Sequence, residues 1–124
     1  AFSFADNSST AENAARNASV HNDISEFKNQ YQTLIGERGV TLSGGQKQRI
    51  SIARAIIKNP SLIILDDCLS AVDTNTEKII LSNLRDVLKE KTSIIITHRI
   101  STLLNFDKIL VLEGGKIAES GTHE

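Results

Sequence analysis

Residues 62–67 read Leu62-Ile63-Ile64-Leu65-Asp66-Asp67. Four apolar residues in an unbroken run, closed by two carboxylates, have the pattern of a strand buried on both faces of a parallel sheet. Residues 93–98, Ser93-Ile94-Ile95-Ile96-Thr97-His98, repeat the layout with an imidazole at the end. Between the two runs, Thr74 and Glu77 have capping-box spacing. Behind them Ile80, Leu81, Leu84, Val87 and Leu88 fall on one side of a helix. Strand, helix and strand in that order predict an α/β layer with parallel strands.

Working outward, residues 108–112 and 116–119 flank Gly114-Gly115, the two-residue signal of a β-hairpin. Upstream, Leu42-Ser43-Gly44-Gly45-Gln46 opens a helix with Ile50, Ala53, Ile56 and Ile57 on one face, closed by Asn59-Pro60. Ser9 and Glu12 have capping-box spacing, and Ala11, Ala14, Ala15 and Ala18 give the helix that follows a face of small residues. Ile24, Phe27 and Tyr31 predict a second, shorter helix, and Gly36 and Gly39 bracket a turn. The expected division is a largely helical and polar part over 1–60 and an α/β part over 61–124. The chain shows no internal repeat and no low-complexity segment.

The polar residues stand where chemistry is done in such layers. In open α/β sheets, ligands bind beyond the carboxyl ends of the strands. Asp66 is placed there to hold Mg²⁺, directly or through water, and Asp67 to orient or deprotonate a water. A pair of strand-end aspartates in a turn is the plainer alternative, as is a structural role for His98. Ser43 and Gln46 fit a capping box of their own. Gly44 and Gly45 then fall in the first helical turn, whose N–H groups have no acceptor inside the helix. Those donors and the positive end of the helix dipole suit an anion, and glycine lets a phosphate touch the backbone. The alternative is an ordinary loop-to-helix junction with glycines for a tight turn.

The bulk numbers narrow the class. With 40% hydrophobic and 23% charged residues over 124 positions, the chain suits one small globular domain. A net charge of −1 gives no support for a nucleic-acid surface. No apolar run approaches the roughly 18 residues of a membrane span, and no signal peptide is visible. The single cysteine, Cys68, excludes an internal disulfide and reads as a small, partly buried residue in preference to a redox switch. Lys47, Gln48 and Arg49 read as an exposed helix face. The chain opens at Ala1 without a methionine and closes at Glu124 without a polar tail, which suggests a piece of a longer polypeptide.

Taken in order, these motifs closely resemble the nucleotide-binding domain of ABC transporters of the exporter type. The run 42–49, LSGGQKQR, is similar to the family's signature motif, and 62–67, LIILDD, to its Walker B strand. Ser70-Ala71-Val72-Asp73 looks like the D-loop, and His98 matches the switch histidine. The stretches 35–39, IGERG, and 119–124, ESGTHE, look like exporter sequence, and Phe2-Ser3-Phe4 resembles the segment just after the Q-loop. The resemblance implies a P-loop NTPase-like α/β fold with a helical subdomain, part of a mainly parallel sheet flanked by helices, and a C-terminal hairpin. It implies ATP and Mg²⁺ as cofactors. It also implies a head-to-tail pairing with a second nucleotide-binding domain, identical or not, attached to transmembrane domains at the cytoplasmic face of the membrane. On that pattern Ser43, Gly44, Gly45 and Gln46 face the ATP held by the opposing domain. Asp73 belongs to the same interface, Asp66 serves Mg²⁺, and Asp67 and His98 are catalytic.

The departures from the family pattern carry expectations too. No window matches the Walker A pattern G-x-x-x-x-G-K-[ST], so that loop is expected before Ala1 and these residues alone are expected to be inactive. Asp67 stands where the family usually has glutamate, and Leu34 where many exporters have an acidic residue. The helical stretch 7–32 is shorter than the family implies. A soluble ABC ATPase of repair or translation type, and a non-hydrolysing module with a degenerate site at Asp67, are the alternatives.

Overall fold

The computed structural model describes residues 8–35, 41–99, 102 and 106–122. The expected turn at Gly36 and Gly39, most of the 35–39 stretch, the Phe2–Phe4 segment and the last two residues lie outside these. Four helices and four strands are described: α1 (Ser8–Asn17), α2 (His21–Glu26), α3 (Gly44–Ile57), β1 (Leu62–Asp66), α4 (Thr74–Leu88), β2 (Thr92–Ile96), β3 (Ile109–Glu113) and β4 (Lys116–Gly121).

The small-residue face of α1 is its packing face. Ala11, Ala14 and Ala15 are buried, with Ala18 just beyond the helix end, and their short side chains let α1 lie against α3. The helix begins at Ser8, so Ser9 falls inside it and not at its cap. Asn83 of α4 donates from Nδ2 to the Asn17 carbonyl at 3.3 Å, serving an end that a helix leaves unsatisfied. The single helix expected over Ile24, Phe27 and Tyr31 is two pieces. α2 ends where Phe27 turns extended, at φ −68° and ψ 143°, and a 3₁₀ turn follows at Gln30–Gln32.

α3 starts as its sequence dictates. Ser43 is the N-cap and both halves of the capping box form with Gln46. Its buried residues are Ile50, Ile52 and Ala53, while Ile56 and Ile57 are only partly covered. Ile52, fully enclosed, was not among the residues of the expected apolar face. At the other end Asn59 takes φ +47°, and Pro60 prevents the helix from resuming. α4 is capped by Asp73, one residue before the expected Thr74, and Ile80 and Leu84 are its deepest side chains.

β1 and β2 pair in parallel, from Leu62 opposite Thr92 to Asp66 opposite Ile96, with α4 as the crossover. Expectation and structure part here. β1 is not buried on both faces. Ile63 and Leu65 enter the core beside Ile52, Ile80 and Leu84, whereas Leu62 and Ile64 are 50% and 57% exposed. Ile94 and Ile96 on β2 show the same outward face. The helices cover one side of the strand pair, and none of the described residues covers the other. The hairpin forms as read: β3 and β4 are antiparallel, and Gly114 and Gly115 both have positive φ, the conformation a two-residue turn requires.

Candidate functional site

The site is built around the loop from Asp67 to Asp73, which runs between β1 and α4 and is gripped from several sides. Asp67 donates its N–H to the Ile96 carbonyl at 2.9 Å, continuing the sheet ladder by one residue. Its φ is +53°, a left-handed conformation that aspartate tolerates better than most residues. That sharp bend takes the chain off the sheet edge. Asp67 and His98 then line one cavity of about 160 Å³, together with Cys68, Ser70 and Thr97. His98 is exposed there. A carboxylate and an imidazole facing one small cavity beyond the ends of parallel strands can orient a water and exchange a proton with it.

Asp66 ends β1 and is exposed. Mg²⁺ keeps several waters and is usually held by one or two carboxylates together with substrate phosphates. An exposed aspartate at a sheet edge fits that role. The described residues contain no cluster of three or more His, Cys, Asp or Glu able to hold a metal, so phosphate oxygens would complete the set. Cys68 donates weakly to the Asp66 carbonyl at 3.6 Å. Burial pushes its thiol up, and the neighbouring Asp66 and Asp67 charges push the same way, so it stays protonated at neutral pH. That is the behaviour of a small packing residue.

A second cavity, of about 320 Å³, opens at the start of α3 and is lined by Ser43, Gly44, Gly45, Asp73 and Thr76 among others. The Ser43 N–H donates to Gln46 Oε1 at 3.0 Å, and the Gln46 N–H to Ser43 Oγ at 3.2 Å. The N–H groups of Gly44 and Gly45 are left in the first turn with no acceptor in the helix. The cavity therefore presents two backbone donors, a serine hydroxyl and the positive end of a 14-residue helix. That set is suited to phosphate oxygens.

Gly45 also has a second cause, one the sequence did not suggest. A Cβ on Gly45 would stand 3.0 Å from the Ala71 carbonyl oxygen, and one on Gly44 would stand 3.4 Å from the Ala71 Cβ. The loop presses its backbone onto the start of α3, and any side chain at Gly45 would push the Ala71 carbonyl back by a few tenths of an ångström.

Two expected contact residues are engaged within the chain. Gln46 uses its Nε2 to donate to Asp23 Oδ1 at 3.0 Å, besides its capping role. Asp73 is the N-cap of α4, and its carboxylate accepts from the Thr76 N–H at 3.0 Å and the Thr76 hydroxyl at 2.6 Å. Those bonds hold the Asp73 carboxyl below its ordinary pKa. The structure thus groups Asp67 with His98, and Ser43, Gly44 and Gly45 with Asp73, on two separate cavities. Gln46 turns toward α2, and Asp66 stands at the strand edge.

Sequence reasoning missed three polar residues. Gln48 and Arg49 are not a solvent face; of the three residues read that way, only Lys47 is exposed. Arg49 pairs with Asp23 at 2.8 Å and donates to the Ser19 carbonyl at 2.5 Å. Gln48 bonds to the loop after β1. Arg99, next to His98, donates to the Ser70 and Val72 carbonyls, each at 3.0 Å, and pairs with the enclosed Glu77. Thr102 donates to the other oxygen of Glu77. Glu77 is therefore a buried anchor and not part of a capping box. No local signal marks these contacts, because their partners lie 19 to 30 residues away along the chain.

Comparison with known proteins places the chain in a family. The family described as ABC transporter matches residues 2–70. The Bacillus subtilis (strain 168) protein named "Uncharacterized ABC transporter ATP-binding protein YknU" is 56% identical over 110 residues, which are 89% of this chain and 19% of that protein. The Danio rerio protein named "Iron-sulfur clusters transporter ABCB7, mitochondrial" is 46% identical over 110 residues, 89% of this chain and 15% of its own. A solved structure, a bacterial Atm1-family ABC exporter with ATP bound, superposes with a TM-score of 0.88 at 44% identity. It covers 96% of this chain and 21% of its own. The α/β fold is thus that of an ABC ATPase, and the chain spans about a fifth or less of the relatives it matches.

Proposed function

Because this chain belongs to the ABC transporter family, we propose that it forms the signature-helix and catalytic-edge part of the nucleotide-binding domain of a membrane exporter. The domain pairs head to tail with a second nucleotide-binding domain. In that pairing the start of α3 meets the terminal phosphate of an ATP held by the partner, through the Gly44 and Gly45 N–H groups and the Ser43 hydroxyl. Asp66 serves Mg²⁺, which when bound neutralises phosphate charge. Asp67 orients the attacking water, and His98 holds it or its proton from across the same cavity. Hydrolysis is coupled to transmembrane domains, which places the domain at the cytoplasmic face of the membrane. Among the described residues no helix is long and apolar enough to cross a membrane.

The observation that carries this reading is the separation of two cavities on either side of one loop. One offers backbone and hydroxyl donors, with the Asp73 carboxylate on its wall held by Thr76. The other offers a carboxylate and an imidazole. A domain that contributes to two different nucleotides needs that division. A helix N-terminus alone supplies only about 0.3–2 kcal/mol toward an anion. The phosphate cradle must therefore come from elsewhere in the protein, and these 124 residues are inactive by themselves.

The test is steady-state ATP hydrolysis by the full-length protein in lipid, beside the isolated chain. The full-length protein turns over, His98→Ala reduces the rate to near background while ATP still binds, and the isolated chain is silent. Hydrolysis that His98→Ala leaves intact contradicts the assignment, and a wild-type protein that binds ATP without hydrolysing it makes this a degenerate module.

A further inference from the structure

We propose that Gln48 is a positioning residue for hydrolysis, holding the backbone of Asp67 and of the loop after it in register with α3. The proposal rests on the reading of Asp67 as the water-orienting carboxylate.

The carboxamide of Gln48 is fully engaged. Its Oε1 accepts from the Ala71 N–H at 2.8 Å, and its Nε2 donates to Ser70 Oγ at 2.8 Å and to the Asp67 carbonyl at 3.2 Å. Ser70 Oγ in turn donates to the same Asp67 carbonyl at 3.3 Å, closing a ring of bonds. One acceptor and two donors are needed at that point, and a carboxamide is the side-chain group that provides both. The peptide on the other side of Asp67 is fixed to Ile96. Asp67 is therefore clamped through its N–H and its carbonyl while it holds a left-handed φ of +53°. The aim of its carboxylate follows from that bend, because a short side chain has little reach of its own.

The consequence extends beyond Asp67. Gln48 stands on the helix that Ser43 caps and whose first turn carries Gly44 and Gly45. A shift of α3 when an anion engages its N-terminus is transmitted by one side chain to the carbonyl of Asp67. Arg99, just beyond β2, holds the Ser70 and Val72 carbonyls of the same loop, so the segment is gripped from a second side. This is a contact route between the two cavities, through packed and hydrogen-bonded groups with no gap in the chain of contacts.

The role is separable from folding. Gln48 is partly exposed, so water can take over its three hydrogen bonds when the carboxamide is removed. A misplacement of about 1 Å at the reacting group, by contrast, costs on the order of 100-fold in rate. In the full-length protein, Gln48→Leu removes all three bonds. Gln48→Glu keeps the shape and the acceptor for Ala71 but sets a negative oxygen against the Asp67 carbonyl. Both variants are expected to lower kcat on the order of 10- to 100-fold, with KM for ATP and thermal midpoint nearly unchanged. In an Asp67→Asn background the Gln48→Leu loss should disappear, because the residue acts through Asp67. Amide exchange at Ala71 should quicken in Gln48→Leu.

Undiminished kcat in both variants, or a loss that multiplies in full on Asp67→Asn, overturns the proposal. If the wild-type protein shows no hydrolysis, the functional reading fails first. The clamp is then decided by exchange at Ala71, and an unchanged rate there overturns it.

Discussion

Aspartate at position 67 has a shorter reach than the glutamate usual in this family, by roughly 1.5 Å for one methylene on the same backbone. A backbone free to advance could compensate. The structure leaves it little freedom: the Asp67 N–H is bonded to Ile96, its carbonyl accepts from Gln48 and Ser70, and its φ is +53°. With Asp67 in its proposed role, a clamped backbone and a short carboxylate make a slow site. Asp67→Glu in the full-length protein is therefore expected to raise turnover on the order of 10-fold, measured as ATP hydrolysed per transporter. A fall on that substitution shows that the bend has adapted to aspartate. The places of Asp66, Asp67 and His98 at or just beyond the strand ends were legible, because an apolar run closed by polar residues reads as a strand leaving its sheet. Gln48 and Arg99 were not, because a polar residue on a helix or after a strand reads as solvated until a distant loop is folded onto it.

At the scale of elements, the start of α3 is fixed to α2 by a charged lock. Asp23 accepts from Gln46 and Arg49, and the Arg49 guanidinium also reaches the Ser19 carbonyl. Partial burial pushes the Asp23 carboxyl up, but the bonds from Gln46 and Arg49 with the guanidinium charge outweigh it, leaving the pKa below its usual value. A depressed carboxylate stabilises the fold at pH values above the unfolded pKa of about 3.9, and that contribution is lost as pH falls through the lower folded value. Asp23→Asn should therefore lower the thermal midpoint at pH 7 and flatten the acid limb of the stability curve. Identical acid limbs for the two proteins would remove the lock from the account. The cap of α3 was legible in its S-x-x-Q spacing. The lock was not, since Asp23 lies 26 residues before Arg49. Nor was the break between α2 and the 3₁₀ turn, which no glycine or proline announces.

Over the whole molecule, the strand pair keeps one face on the helices and turns Leu62, Ile64, Ile94 and Ile96 outward. The sequence read as strands covered on both faces, and in composition that reading is sound, since parallel strands are normally covered twice. Composition tells which residues need cover, but not which polypeptide supplies it. The proposed function rests on the same division of labour. The first turn of α3 offers anion donors to something outside the chain, and the most direct test is a charge placed in its mouth. A Cβ on Gly44 meets only the Ala71 methyl at 3.4 Å, so a side chain there fits without moving backbone. Gly44→Asp in the full-length protein puts a carboxylate where a phosphate must approach. Equilibrium nucleotide binding and steady-state hydrolysis, measured on the same preparation, separate the two possibilities. Retained ATP binding with hydrolysis reduced at least about 100-fold is the predicted result; turnover at the wild-type level would contradict the trans-acting role of the helix.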